Sequence, residues 1–113
     1  MKAETFIKTH GLDHAKQVLS SADSGANKYV IDFNWYAAGI VTDDYVLLSE
    51  LSRVIKSHDL VTSYNGLHGA KNTLKLLISS IEIGLYHGID GVNAELEIPR
   101  LKQAIADVEA SNE

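Results

Sequence analysis

The chain has 113 residues, 45% of them apolar and 22% charged, with a net charge of −5 and no cysteine. That length suits one small domain, residues 1–113, with enough apolar content for a core, while the lack of cysteine excludes disulfides and thiolate metal sites. Lys71, Lys75 and Glu82 interrupt the best apolar run before the roughly 18 residues of a membrane span, and MKAETFIKTHGLDHAKQ puts charges where a signal peptide needs an apolar centre, so the expected location is cytoplasmic.

The first predicted elements are helical. AETFIKT, residues 3–9, makes about two turns anchored by Phe6 and Ile7, and Gly11 ends them. Leu12, Ala15, Val18 and Leu19 then form the stripe of a second helix over residues 12–20. The stretch from Ser20 to Asn27 is dense in turn formers and reads as loop.

From Tyr29 the period changes to two. Tyr29, Ile31, Phe33 and Trp35 alternate with Val30, Asp32, Asn34 and Tyr36, which predicts a strand with one aromatic face. A strand needs a neighbour, and Gly39–Thr42 and Tyr45–Leu48 supply it, with Asp43 and Asp44 in the turn between them. The expectation is an antiparallel sheet of two or three strands within residues 28–48, its aromatic stripe turned into the core.

Ser49 resembles an N-cap ahead of Leu51, Val54, Ile55 and His58, and Asp59–Tyr64 reads as a short helical turn. The longest helical run is Asn65–Tyr86, NGLHGAKNTLKLLISSIEIGLY. Its spine is Leu67, Ala70, Leu74, Leu77, Ile78, Ile81 and Leu85, against which the sheet and the last helix are expected to close. Gly84 and Gly88 mark its end, residues 87–93 read as loop, and Pro99 suits the first position of a closing helix. In that helix Leu101, Ala104, Ile105 and Val108 face inward, with Asp107 and Glu109 outside. The fold class is therefore α+β, predominantly helical, with four to five helices and the small sheet.

Two segments share the phrase G-L-x-x-A-K-x-x-L, beginning at Gly11 and at Gly66, 55 residues apart. The physical reading is a repeated turn-into-helix unit in which Leu and Ala bury and Lys points outward. Five matched positions of common residue types are also what two similar helix starts produce by chance.

No motif for a catalytic residue or a cofactor is present, and neither is expected. His10 and His14 straddle Gly11, and His58, His68 and His87 lie on separate segments without a carboxylate at ligand spacing, so no metal is expected. The acidic excess falls in residues 82–113, where Glu82, Asp90, Glu95, Glu97, Asp107, Glu109 and Glu113 are offset only by Arg100 and Lys102. This opposes contact with a phosphate backbone and suits a basic protein surface. Tyr29, Trp35 and Tyr36 of the aromatic segment, with Asp43 and Asp44, are candidate contact residues. Leu76, Ile83 and Tyr86 on the back of the long helix are the others, open to a homodimer or another protein, although the closing helix covering that back is the simpler reading. A DNA-binding regulator built as a helix-turn-helix over residues 49–75 is the alternative, lacking an Arg-rich recognition helix.

ETFIKTHGLDHAKQVL, LLSELSRVIKSHDLVTSYNGLHGAK and IPRLKQAIADVEA, about half the chain, resemble small accessory proteins from the early regions of lambda-like temperate bacteriophages. The resemblance implies a non-enzymatic protein of the host-cell cytoplasm that modulates or inhibits a host or defence protein by stoichiometric contact. It carries over no catalytic residue. The middle, VIDFNWYAAGIVTDD, lies outside it.

Overall fold

The computed structural model describes residues 1–82 and 94–112. Among them are five helices and a three-stranded antiparallel sheet, an α+β fold that is mostly helix. The chain divides into two compact units, Met1–Lys56 with Ala110–Glu113, and Ser57–Glu109.

The first unit begins with α1 (Ala3–His10) and α2 (Leu12–Ser20). Gly11 separates them at φ +91°, a backbone that side chains with a Cβ rarely adopt. The sheet follows as β1 (Lys28–Val30), β2 (Trp35–Ala37) and β3 (Tyr45–Leu47), in the spatial order β2-β1-β3. The core joins Phe6 and Ile7 of α1, Ala15 and Val18 of α2, Tyr29 and Val46 of the sheet, and Leu51, Val54 and Ile55 from the start of α3 (Leu48–Ser63). Glu4 accepts a hydrogen bond from the Arg53 guanidinium at 3.1 Å, tying α1 to α3.

The alternating stretch is two strands, not one. Ile31–Asn34 turns the chain back, with the Asn34 amide donating to the Ile31 carbonyl at 3.4 Å and Asn34 at φ +52°. Asparagine tolerates that left-handed backbone, which outweighs the strand preference of the aromatics around it. Gly39–Thr42 is not a strand, and Tyr45–Leu47 pairs with β1.

In the second unit α3, which takes in the expected turn at Asp59, ends at Ser63 and is followed by α4 (Gly66–Glu82). Asn65 at φ +69° and Gly66 at φ +89° make the reversal. Ala70 and Leu77 of α4 are buried in one cluster with Val61 of α3 and with Leu101, Ala104, Ile105 and Val108 of α5 (Ala94–Asn112). Of the expected spine, Leu67, Ala70, Leu74, Leu77 and Ile81 belong to this cluster with α5, while the cluster that holds Tyr29 and Val46 of the sheet is formed with α1, α2 and the start of α3. The far end of the predicted long helix, with Leu85, Gly84 and Gly88, and the predicted loop 87–93 lie outside the described residues.

Two expectations for α5 are corrected. It starts at Ala94 and contains Pro99, because the residues ahead of the proline include good helix formers that outweigh one lost amide. Asp107 is buried, 3% exposed, accepting from the Ser57 hydroxyl at 2.6 Å and the Gln103 amide at 3.0 Å. Those donors replace the water a carboxylate needs.

The repeated phrase has one local structure. Gly11 and Gly66 share the same left-handed φ, Ala15 and Ala70 are fully buried, Leu12, Leu67, Leu19 and Leu74 are half-buried, and Lys16 and Lys71 are exposed.

A Cβ on Gly69 would fall 1.8 Å from the Tyr64 carbonyl oxygen, whereas one on Gly39 would meet nothing within 4 Å. Gly69→Ala is expected to cost about 2 kcal/mol or more in chemical denaturation, in the range of other overpacked sites, and Gly39→Ala almost nothing. Asp107→Ala, which strands the Ser57 hydroxyl, is expected to lose about 1–3 kcal/mol in the same measurement.

Candidate functional site

Antiparallel pairing sets opposite residues on the same face. Tyr29 lies opposite Tyr36 on β2 and Val46 on β3, so these three share the inner face. The Tyr29 ring meets Phe6 edge-on at 6.0 Å and Tyr36 at 5.2 Å, and its hydroxyl donates to the Asn34 side-chain oxygen. The Tyr36 hydroxyl donates to the Val18 carbonyl at 2.7 Å. Burial, then the neighbouring Tyr29 and Asp23, push the Tyr36 hydroxyl above its ordinary value.

The outer face carries Val30 opposite Trp35 and Tyr45. A groove of about 330 Å³ lies there, lined by Val30, Phe33, Trp35, Ile40, Val41 and Asp43 among others. Val30 is only 3% exposed, while Phe33, Trp35 and Ile40 are 63%, 67% and 100% exposed. Each such side chain forgoes much of the about 1.5–3 kcal/mol that full burial of a large apolar side chain contributes. Scattered apolar residues in water are ordinary, but a group around one groove marks a contact surface.

Among the described residues β2 is also an open edge. The Ile31 amide donates to the Asp44 carbonyl at 3.1 Å and the Leu48 amide to the Asn27 carbonyl at 2.9 Å. Tyr29, midway between these two pairs, therefore bonds β3, which leaves Lys28 and Val30 to bond β2, where the Asn27 amide also donates to the Ala37 carbonyl at 3.0 Å. Tyr36, between their partners Ala37 and Trp35, turns its N–H and C=O away from the sheet. On the opposite edge the Met1 nitrogen donates to the Tyr45 carbonyl at 2.7 Å and to the Asp44 carboxylate at 2.9 Å.

Two carboxylates of this segment are uncommitted. Asp32, in the hairpin turn, and Asp43, in the groove lining, are exposed and have no ion-pair partner among the described residues. Lys28 is engaged by the Asn27 side chain at 3.2 Å and lies 5.5 Å from the Tyr45 ring centre.

Of the sequence-based contact residues, the structure places Trp35 and Asp43 at this groove, with Asp44 beside Asp43 and the half-buried Tyr36 on the edge strand. Tyr29 is corrected: at 2% exposed it belongs to the core and offers no surface. Leu76 is on α4 and 56% exposed, so the expected cover over it is not there, while Ile83 and Tyr86 lie outside the described residues. Ile40 and Val41 lie beyond the expected contact segment 29–36, Phe33 lies within it, and Phe33 and Trp35 are the reverse of the buried stripe predicted for them. The available signal was the pair Asp32 and Asn34, turn formers set inside the alternation.

His10 and His14 come together, with ring centres 5.7 Å apart and both beside Phe6. Among the described residues no three metal-binding side chains gather. Segment 49–75 does form two helices joined by a short turn, but the charge of Lys71 is met by Glu109 at 3.4 Å. No described helix is long and apolar enough to cross a membrane.

Tyr36→Phe is expected to lower stability at neutral pH by about 0.5–1.5 kcal/mol, the worth of one hydrogen bond. An unfolded tyrosine ionises near 10.0, and the folded Tyr36 does so at higher pH. Its share of stability is therefore complete below pH 10 and lost as pH rises through the folded value. Denaturation midpoints measured from pH 8 to pH 12 should fall less steeply in the variant. Part of the fall should persist, because burial and then Glu97 raise Tyr64 in the same direction.

No protein-family model, curated protein or solved structure matches the chain.

Proposed function

We propose that the chain acts by stoichiometric binding of another protein, through the outer face and open edge of its sheet. The observation behind this reading is the grouping of Phe33, Trp35 and Ile40, all exposed, around a groove floored by buried Val30. An apolar face held in water by a folded core, with its polar backbone unpaired at one side, has the chemistry of an interface awaiting its partner. The resemblance to phage early-region accessory proteins supplies the setting: a modulator or inhibitor of a host or defence protein in the host cytoplasm. The groove lies in the segment that this resemblance does not cover, which suits a residue set particular to one target.

The test is affinity capture from host lysate with quantitative mass spectrometry. The wild type should retain a partner in one-to-one proportion. Phe33→Glu/Trp35→Glu should reduce that retention at least tenfold with unchanged circular dichroism and melting temperature, since both side chains lie outside the core. If retention persists in that variant and is lost instead in Leu76→Glu, the contact belongs to α4 and the sheet reading fails.

A further inference from the structure

Resting on that reading, we infer that the occupant of the sheet is an extended segment of the partner that pairs with β2 as a fourth strand, alternating apolar with polar side chains and carrying lysine or arginine at its flank.

Three independent features converge on this. The first is the edge itself: Tyr36 presents an N–H and a C=O at the open side of β2, which is the group pair a new strand needs. The second is the difference between the two grooves beside that edge. On the outer face lies the apolar groove of Val30, Phe33, Trp35 and Ile40. On the inner side lies a second groove of about 310 Å³, polar in character, lined by His14, Gln17, Ser21 and Asn34 with Tyr36 and Val18. Successive side chains of a strand point to opposite faces. A strand laid along β2 would therefore send every other side chain to the apolar groove and the intervening ones toward the polar groove. The third is charge: Asp43 in the lining of the apolar groove and Asp32, next in sequence to its Phe33, are exposed and without ion pairs among the described residues, and they match a cationic flank.

The same charge argues against a second copy of this chain. In two-fold pairing the incoming strand would be β2 itself, whose surroundings, residues 31–44, hold no lysine or arginine, in a molecule already at −5.

Trp35 is the chain's one tryptophan, so its emission reports on the groove directly. The probe is a synthetic nonapeptide of alternating valine and threonine with lysines at both ends, titrated into the intact chain. Two control peptides carry glutamates in place of the lysines, or N-methyl groups on alternate backbone amides. The expected result is a saturable blue shift with one-to-one stoichiometry for the lysine peptide, weakened at least tenfold by either control. Asp32→Asn and Asp43→Asn should each weaken it about two- to fivefold, the size of an exposed ion pair. Equal binding of the N-methylated peptide would overturn strand addition, and equal binding of the glutamate peptide would overturn the cationic flank. Self-association of the chain abolished by Trp35→Glu would make a second copy the occupant and overturn the inference. Should no peptide bind while the lysate partner is still captured through Phe33 and Trp35, this inference fails and the protein-binding reading stands; if that capture is absent too, both fall.

Discussion

Tyr29 sits on the middle strand, opposite Tyr36 on one side and Val46 on the other, with the Phe6 ring edge-on against it and its hydroxyl held by the Asn34 side chain. Aromatic pairs of this geometry contribute about 0.5–1.5 kcal/mol beyond the area they bury. The larger effect is on direction. Once Tyr29 points inward, the pleat sends Val30 outward, and the pairing of Val30 with Trp35 carries the tryptophan to the same outer face. The contact from Tyr29 to Asn34 spans the turn and favours the hairpin over a continuous strand. The inner anchoring of one tyrosine thus produces the outer exposure of the neighbouring aromatics.

That relation explains why the helices were legible in the sequence and the site only in part. Helix stripes repeat every three to four residues and stop at glycine. The stripe of residues 12–20 has the bounds of α2, and Asn65-Gly66 marks the start of α4 to within one residue. A period of two has no such punctuation. The alternation from Tyr29 to Tyr36 fits one strand as well as it fits two short ones around a four-residue turn, and the two solutions assign Phe33 and Trp35 to opposite environments. Choosing between them needs the weight of Asn34 in a left-handed conformation, a backbone preference that hydrophobic patterning does not encode. Asp107 was hidden for a related reason: nothing about an aspartate on a helix announces that Ser57, 50 residues away, will donate to it.

Charge follows a similar logic. The acidic excess of residues 82–113 looked like a surface for steering toward a basic partner, but the described part of it is largely spent inside its own unit. Glu97 holds Arg100 at 3.2 Å, Glu109 holds Lys71 at 3.4 Å, and Asp107 is buried. Net charge describes the sum, whereas a partner meets the carboxylates left without a local cation. Asp32 and Asp43 are such groups; Asp43 lines the apolar groove and Asp32 precedes its Phe33 in the chain, so attraction and burial would act on one segment.

The first unit supplies what such a patch requires. Its core of Phe6, Val18, Tyr29, Val46, Leu51 and Val54 is complete without Phe33, Trp35 or Ile40. Those three side chains are free to vary for contact because the fold does not depend on packing them. An aromatic group that stabilised the fold would be fixed by it; one that the fold holds in water is constrained by whatever covers it. The unpaired edge of β2 gives that cover a direction, since backbone hydrogen bonds align an incoming chain before its side chains are read. A short edge strand with an apolar flank would ordinarily invite indiscriminate pairing. Here the carboxylates of Asp32 and Asp43 oppose acidic or self-complementary strands and leave cationic ones favoured, so the residues that make the patch soluble also make it selective.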